Sequence, residues 1–120
     1  MYRWVDQFLI KMEDKISILF KALSDSSRLK IFHSLVVASS VLSISQITTE
    51  FNMTRQGVTK HIKILESADL INISTNGRER FCEANPKKLE EVKKWLYFYE
   101  TFWDNSLSNL SSYLNESEEG

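Results

Sequence analysis

Apolar residues recur at steps of three and four along the first third of the chain. This spacing of one helical stripe links Tyr2, Val5, Leu9, Met12, Ile16, Leu19 and Leu23. A second helix is expected next, because the short side chain of Asp25 or Ser26 can cap its free N–H groups. Its apolar positions are Leu29, Ile31, Phe32, Leu35 and Val36. The pattern therefore predicts two consecutive helices before the Ser39-Ser40 region.

Two further helical segments follow, separated by a turn at Asn52-Met53. The shorter one fits Ser45 to Phe51. The longer one begins after Thr54, its expected N-cap, and runs to about Ala68. Spacings of four and three put Val58, Ile62 and Leu65 on one inward face of this fourth helix. The opposite face then carries polar side chains, those of Arg55, Gln56, Thr59, Lys60 and Lys63.

The period changes to two after residue 69, which predicts a β-hairpin. Segments 70–75 and 79–84 are strand-like, and the Asn76-Gly77 dipeptide between them tolerates positive φ at both turn positions. Asn85-Pro86 then predicts a last helix, with Asn85 as its cap and Pro86 at its first position. We expect a single domain over residues 1–114 and a polar, frayed tail over 115–120.

Composition narrows the class of protein. The chain has 120 residues, of which 42% are hydrophobic and 26% charged, as in an ordinary globular domain. Cys82 is the only cysteine, so a disulfide scaffold is excluded. No apolar run is long enough to span a bilayer, and the acid at Asp6 does not fit a secretory signal. The sequence therefore predicts a cytoplasmic protein without a membrane partner.

Charge is distributed unevenly along a nearly neutral chain. The net charge is −1, yet the bases in residues 52–80 outnumber the acids by two, and residues 101–120 contain four acids and no base. Binding depends on the local field rather than on the total charge. A local basic surface around the fourth helix and the hairpin is therefore expected.

The order of elements predicts a winged helix-turn-helix. This fold class is mainly α with a β-hairpin wing (α+β), with about five helices and a two-stranded wing. A helix about 10–12 Å across fits the major groove of B-DNA, and exposed Gln, Thr, Lys and Arg side chains read base edges and phosphates. The fourth helix and the wing tip at residues 76–80 are thus a candidate interface for double-stranded DNA.

Three stretches carry a resemblance to a known family. The first is Ala22-Leu23-Ser24-Asp25-Ser26-Ser27-Arg28-Leu29-Lys30-Ile31. The second, which is the most specific, runs from Met53 to Ile71 and contains Thr54-Arg55-Gln56-Gly57-Val58-Thr59-Lys60-His61. The third is Gly77-Arg78-Glu79-Arg80. The chain resembles ArsR-type (ArsR/SmtB) transcriptional repressors over residues 18 to 114. The resemblance implies a homodimer that binds operator DNA and represses transcription. It implies base contacts from Gln56, Thr59 and Lys60 and phosphate contacts from Thr54, Lys63 and Arg78. We add Arg55 and Arg80 to the expected DNA-binding residues.

Several positions depart from the family pattern. Asp69 stands where the family usually has glycine after the recognition helix, and Gly57 stands where it often has alanine. The third helix carries no thiol, and residues 86–120 contain no histidine or cysteine, so the usual metal-ligand motifs are missing. We therefore expect no metal site and no cofactor. Cys82 is expected to be a packing residue, and His61 to pack beside the second helix.

The aromatic-rich last helix carries apolar residues on more than one face. A small domain cannot bury two faces of a terminal helix alone, so this helix and residues 2–20 are expected to form the homodimer interface. The interface residues we expect are Val5, Phe8, Leu9, Met12, Trp95, Tyr99, Phe102, Trp103, Leu107 and Leu110.

Other functions stay open at this point. Part of the same surface, especially Trp4, Phe8, Trp95 and Trp103, is an alternative pocket for an unidentified effector. A winged helix used for protein–protein contact is the rival from another class, but it should carry apolar residues on its fourth helix. A MarR-type regulator is usually longer. No nucleophile, base or phosphate loop forms a recognisable catalytic motif, so no enzyme is expected.

Overall fold

The computed structural model describes the backbone of residues 3–119 and the side chains of residues 7, 10–107 and 109–115. The elements are α1 (Arg3–Leu23), α2 (Ser26–Ala38), β1 (Leu42–Ser43), α3 (Ile44–Phe51), α4 (Arg55–Ser67), β2 (Ile71–Asn76), β3 (Glu79–Ala84), a 3₁₀ turn (Pro86–Leu89) and α5 (Glu90–Glu119). The predicted fold class, a mainly helical winged helix-turn-helix, is confirmed.

Short polar side chains fix the starts of the helices. Asp25 caps α2, and its carboxylate accepts a hydrogen bond of 3.1 Å from the backbone N–H of Arg28. Ser43 and Gln46 form a reciprocal capping box at the start of α3. Thr54 caps α4 as predicted. These caps satisfy N–H groups that each helix would otherwise leave without a partner.

The sheet has one strand more than predicted. The wing, β2 and β3, is two-stranded as expected, but β1 pairs with β3 on its other side, with Leu42 opposite Cys82 and Ser43 opposite Phe81. The strand order is therefore β1-β3-β2, all antiparallel. A strand of two residues has no readable period, which is why the hydrophobic pattern did not indicate it.

The wing turn differs from the prediction by one residue. Asn76 pairs with Glu79 and belongs to β2, so the two-residue loop is Gly77-Arg78 rather than Asn76-Gly77. Gly77 has φ of +67°, whereas neither Asn76 nor Arg78 adopts positive φ. Positive φ is therefore adopted at one of the two expected turn positions, Gly77, while Asn76 is extended in β2. A glycine at the first loop position supplies the one left-handed residue that this turn needs.

Asn85 does not cap the last helix, contrary to the prediction. Pro86 begins a single 3₁₀ turn, and Asn85 makes no side-chain capping bond. Its Nδ2 instead donates a hydrogen bond of 2.9 Å to the backbone oxygen of Asp69. This bond braces the left-handed turn after α4, where Asp69 has φ of +60°. The α5 helix starts at Glu90 and continues through the polar segment to Glu119. The domain limit at residue 114 and the fraying of the tail stay predictions.

One core joins all the elements except the distal part of α5. Its fully buried side chains come from α1 (Leu19), α2 (Ile31, Leu35), α3 (Ile44, Ile47), α4 (Val58, Ile62, Leu65) and the sheet region (Leu70, Ile71, Cys82). Cys82 is a packing residue, as predicted, and burial raises the pKa of its thiol to about 11. The inward face predicted for α4 is confirmed.

The long α5 helix extends well beyond this core. The principal extents are 73 × 37 × 21 Å, and the radius of gyration is 20.5 Å, against about 14 Å for a compact chain of this length. Leu89 and Val92 pack against the core, whereas the apolar side chains from Leu96 to Leu114 are exposed in the single subunit. None of the helices described combines the length and apolar content needed to cross a bilayer.

Candidate nucleic-acid interface

The turn between α3 and α4 is set by local backbone geometry. Asn52 adopts φ of +49°, and its N–H donates to the oxygen of Thr48 at the end of α3. Asparagine accepts this left-handed conformation more readily than most residues. Two residues later Thr54 starts α4, and its Oγ1 accepts a hydrogen bond of 3.0 Å from the N–H of Gly57. The angle between the two helices is thus fixed from both sides.

Gly57 leaves room for this cap. A Cβ placed at residue 57 would lie 3.1 Å from the Thr54 Oγ1, which is a tight contact. Because the Thr54 oxygen accepts in the cap, its hydroxyl proton remains available to a phosphate. Gly57 thereby favours the cap geometry at a position where helix propensity alone favours alanine.

The outward face of α4 is polar and accessible. Gln56, Lys60 and Lys63 are exposed, on the side opposite the buried Val58 and Ile62. Thr59 is half-buried, and its hydroxyl donates a hydrogen bond of 2.8 Å to the Arg55 backbone oxygen. Its Oγ1 lone pairs and methyl group remain for a base contact.

Arg55 bonds a residue at the tip of the wing. Its Nη2 lies 3.2 Å from the Glu79 Oε1, and its Nη1 donates a hydrogen bond of 2.9 Å to the Ser45 Oγ. Ser45 in turn donates to the Glu79 Oε2 at 3.1 Å. Partial burial raises the pKa of the Glu79 carboxyl, but the bonds from Ser45 and Arg55 outweigh it and hold that pKa below its usual value.

No local sequence pattern indicates this cluster. Glu79 lies 24 residues from Arg55 and 34 from Ser45, so only the folded wing brings them together. Sequence reasoning included Arg55 as a DNA-binding residue and missed both partners.

The wing presents two exposed arginines, Arg78 and Arg80. Arg78 occupies the turn and is exposed. Arg80 is also exposed, but strand alternation places it on the hairpin face of Cys82, opposite the face of Glu79. Arg78 directly precedes Glu79, the wing residue that bonds Arg55 at the start of α4.

A second polar cluster attaches α4 to α2. The Arg28 Nη1 lies 3.3 Å from the His61 Nδ1, and the Arg28 Nε donates to the Ala22 oxygen at 2.7 Å. The Asp25 Oδ1 lies 3.9 Å from the same His61 nitrogen. The pKa of Asp25 is lowered, mainly because its carboxylate accepts the hydrogen bond from the Arg28 N–H. The positive charges of His61 and Arg28 lower this pKa further, and together these effects exceed the opposing effect of partial burial. His61 thus packs beside the second helix, as expected.

The residues expected in the dimer interface fall into three groups. The side chains of Val5, Phe8 and Leu9 lie outside the described part of the chain, as does that of Trp4 from the alternative pocket. Met12 and Trp95 are half-buried within the subunit, and Trp95 packs edge-on against Phe20. The remaining interface residues, Tyr99, Phe102, Trp103, Leu107 and Leu110, are all exposed on α5.

A groove between α1 and α5 is one candidate cavity near this surface. It measures about 310 Å³ and is lined by Lys11, Met12, Lys15, Ile16, Glu91 and Lys94. Trp95 faces a different, shallower groove beside Phe20 and Tyr99. Within the part of the chain that the structure describes, no three His, Cys, Asp or Glu side chains are close enough to share a metal ion.

Comparison with known proteins agrees with this geometry. A family model described as "Helix-turn-helix domain" matches residues 23–73. The HTH-type transcriptional regulator YuzN of Bacillus subtilis is 33% identical over 84 residues, which are 65% of this chain and 91% of that protein. An ArsR-like transcriptional regulator from Rhodococcus sp. RHA1 is 27% identical, with a TM-score of 0.68 over 81% of this chain and 90% of its own.

This chain belongs to the ArsR family of winged-helix transcriptional regulators. The transcriptional repressor SdpR of Bacillus subtilis is also similar to this ArsR-family regulator, with 27% identity over 74% of the chain and 97% of the relative. The same fold occurs in a homodimeric winged helix-turn-helix DNA-binding domain from Mycobacterium bovis, with a TM-score of 0.58. That protein is 20% identical, and the match covers 79% of this chain and 83% of the other.

Proposed function

We propose that this ArsR-family regulator is a homodimeric repressor that binds specific double-stranded operator DNA. The observation that carries the proposal is the exposed polar face of α4, Gln56, Lys60 and Lys63, held between the cap at Thr54 and the adjacent wing. Such a helix enters the major groove, and bound regulator blocks transcription from an overlapping promoter. No catalytic step is needed, and the proposed location is the cytoplasm.

The proposed contacts divide into base and phosphate groups. Gln56, Thr59 and Lys60 face base edges in the major groove, because amide, hydroxyl and ammonium groups match the donors and acceptors there. Thr54, Lys63 and Arg78 hold phosphates and fix the register. Arg80 reaches the backbone or minor groove from the other side of the wing. The excess of two bases over residues 52–80 supports this assignment in a chain of net charge −1.

The second copy covers α5. From Leu96 to Leu114 the large apolar side chains are each 46% or more exposed, and most of them share about half of the helix circumference. So long an apolar surface on one helix is typical of an obligate interface. The homodimeric state of the M. bovis domain supports the same arrangement. Dimerisation would place two α4 helices about 34 Å apart, one turn of DNA.

The rival function, a winged helix for protein–protein contact, predicts a different surface. Its recognition helix should present aromatic or aliphatic side chains. Ile64 is the exposed aliphatic residue described on α4, and it lies one turn after Lys60, where it lines a groove together with Ile18 of α1 and Ala68. The polar face therefore favours DNA. Relief of repression by an effector in the groove between α1 and α5 stays a prediction.

Selection from random duplex DNA tests the proposed function. The purified protein would be used to enrich binding sites from a random library, and its affinity for the enriched duplex would be measured at physiological salt. We expect an approximately palindromic site, two subunits per duplex, and binding at least about 1,000-fold tighter than to random DNA. Absence of any enriched sequence, with the protein folded and dimeric, would refute the proposal and favour the protein-contact rival.

A further inference from the structure

Arg55, Ser45 and Glu79 form a closed ring of hydrogen bonds that joins α3, α4 and β3. Arg55 donates to both partners, at 2.9 Å and 3.2 Å, and Ser45 donates to the second carboxylate oxygen at 3.1 Å. Both oxygens of Glu79 are therefore used. The ring lies at the tip of the wing, at the residue directly after the Gly77-Arg78 turn.

The ring changes what Arg55 can do. A guanidinium whose charge is balanced by a carboxylate at 3.2 Å contributes little net positive potential to a DNA phosphate. The pair is partly exposed, with 53% of the Arg55 side chain and 32% of the Glu79 side chain accessible, so its contribution to overall stability is small. Its geometric effect is larger, because the bonds restrain a two-stranded ribbon that has little packing of its own at the tip.

We propose that Arg55 is a positioning residue rather than a base or phosphate contact: with Glu79 and Ser45 it locks the wing against the start of α4. The lock holds Arg78 in register with the polar face of α4, so that one rigid surface meets the DNA. This inference rests on the proposed DNA-binding function and deepens it. It reassigns a residue that the sequence alone placed among the DNA contacts.

Glu79→Gln distinguishes the two roles of Arg55 by the sign of its effect. If Arg55 contacts phosphate, losing a negative charge beside the DNA and releasing the guanidinium strengthens binding. If Arg55 positions the wing, the same change loosens the ring and weakens binding. Glu83→Gln is the matched control, because Glu83 lies on the same strand and face, is exposed, and makes no side-chain bond among the described contacts.

The first experiment is a double-mutant cycle on the enriched duplex. We expect Glu79→Gln and Arg55→Gln each to weaken binding about five-fold, and the double variant to lose no more than the worse single variant. The dependence of affinity on salt should stay unchanged for both. Tighter DNA binding by the Glu79→Gln variant would overturn the inference. So would a shallower salt dependence on replacing Arg55 by Gln, if it appears both in the wild-type background and in the Glu79→Gln background.

The second experiment needs no DNA. Amide hydrogen exchange in the free dimer should be faster across β2 and β3 in Glu79→Gln than in Glu83→Gln, with unchanged exchange in the α2 core and unchanged thermal unfolding. Equal exchange in the two variants would refute the lock even if the protein binds DNA. Faster exchange without any enriched DNA site would leave the lock standing while the proposed function fails.

Discussion

Trp95 of α5 packs edge-on against Phe20 of α1, with ring centroids 5.4 Å apart and planes at 75°. Tyr99 then packs on Trp95 at 5.0 Å. These contacts attach the first turns of α5 to its own subunit. Beyond them the helix carries exposed aromatic and aliphatic side chains, so the proposed contact with the second copy begins about where the Trp95 cluster ends.

The dimer is expected to depend on this distal apolar face. Trp103→Asp places a charge at its centre, and we expect the dimer to dissociate at micromolar concentration, as seen by sedimentation equilibrium. Tyr97→Asp is the matched control: Tyr97 is equally exposed, but it lies about 120° round the same helix from Trp103.

The two variants together decide the interface. A Trp103→Asp protein that sediments as an intact dimer would remove distal α5 from the interface. Dissociation of both variants would show that an added negative charge on either side of α5 disrupts the dimer. The apolar face that contains Trp103 would then not be the particular surface on which dimerisation depends.

The cap at Thr54 is expected to stabilise the whole domain. Thr54→Ala removes the acceptor of the Gly57 N–H, which costs about 1 kcal/mol in the free energy of unfolding. Thr49→Ala, which removes an exposed mid-helix hydroxyl that bonds only the Ser45 oxygen, should change that free energy by less than about 0.5 kcal/mol. Urea unfolding measures both. Equal effects would mean that the cap bond contributes nothing specific.

The thiol of Cys82 is expected to be unreactive in the folded protein. Its thiol is fully buried, and burial raises its pKa from 9.0 to about 11, so almost no thiolate is present at pH 8. We expect a thiol-reactive disulfide reagent to label it only after unfolding in urea. Labelling of the native protein within minutes would contradict the packing role and reopen thiol sensing.

The same pKa shift makes a signed prediction about stability. The folded state holds the thiol proton more tightly than the unfolded state, so this contribution is present below pH 9 and is lost as pH rises towards 11. The difference in unfolding free energy between the wild type and Cys82→Ala should therefore shrink over that range. A constant difference would show that Cys82 titrates alike in both states.

The helix-turn-helix was predictable from sequence because its signals are local. The spacing of Val58, Ile62 and Leu65 fixes which face of α4 is buried, and a capping threonine marks where the helix begins. Asp69, which stands where the family usually has glycine, adopts φ of +60°, a conformation that aspartate accepts more readily than most residues.

The parts that the sequence did not indicate depend on distant partners. β1 exists because Leu42 and Ser43 find a free edge of β3, and Asn85 bonds Asp69 instead of capping because Pro86 starts a 3₁₀ turn. The ring around Arg55 likewise needs the folded wing beside α4. No window of neighbouring residues contains these pairs, so local patterns cannot reveal them.

The salt dependence of DNA binding tests the central claim most directly. For Lys63→Ala combined with Arg78→Ala, each lost phosphate contact should reduce the slope of log affinity against log salt by about 0.9, and the dimer loses each contact twice. Lys93→Ala, an exposed lysine on α5, is the control and should keep the wild-type slope. Weaker binding with a shallower slope is the predicted result. Unchanged affinity and slope in the double variant would contradict α4 and the wing as the DNA-binding surface.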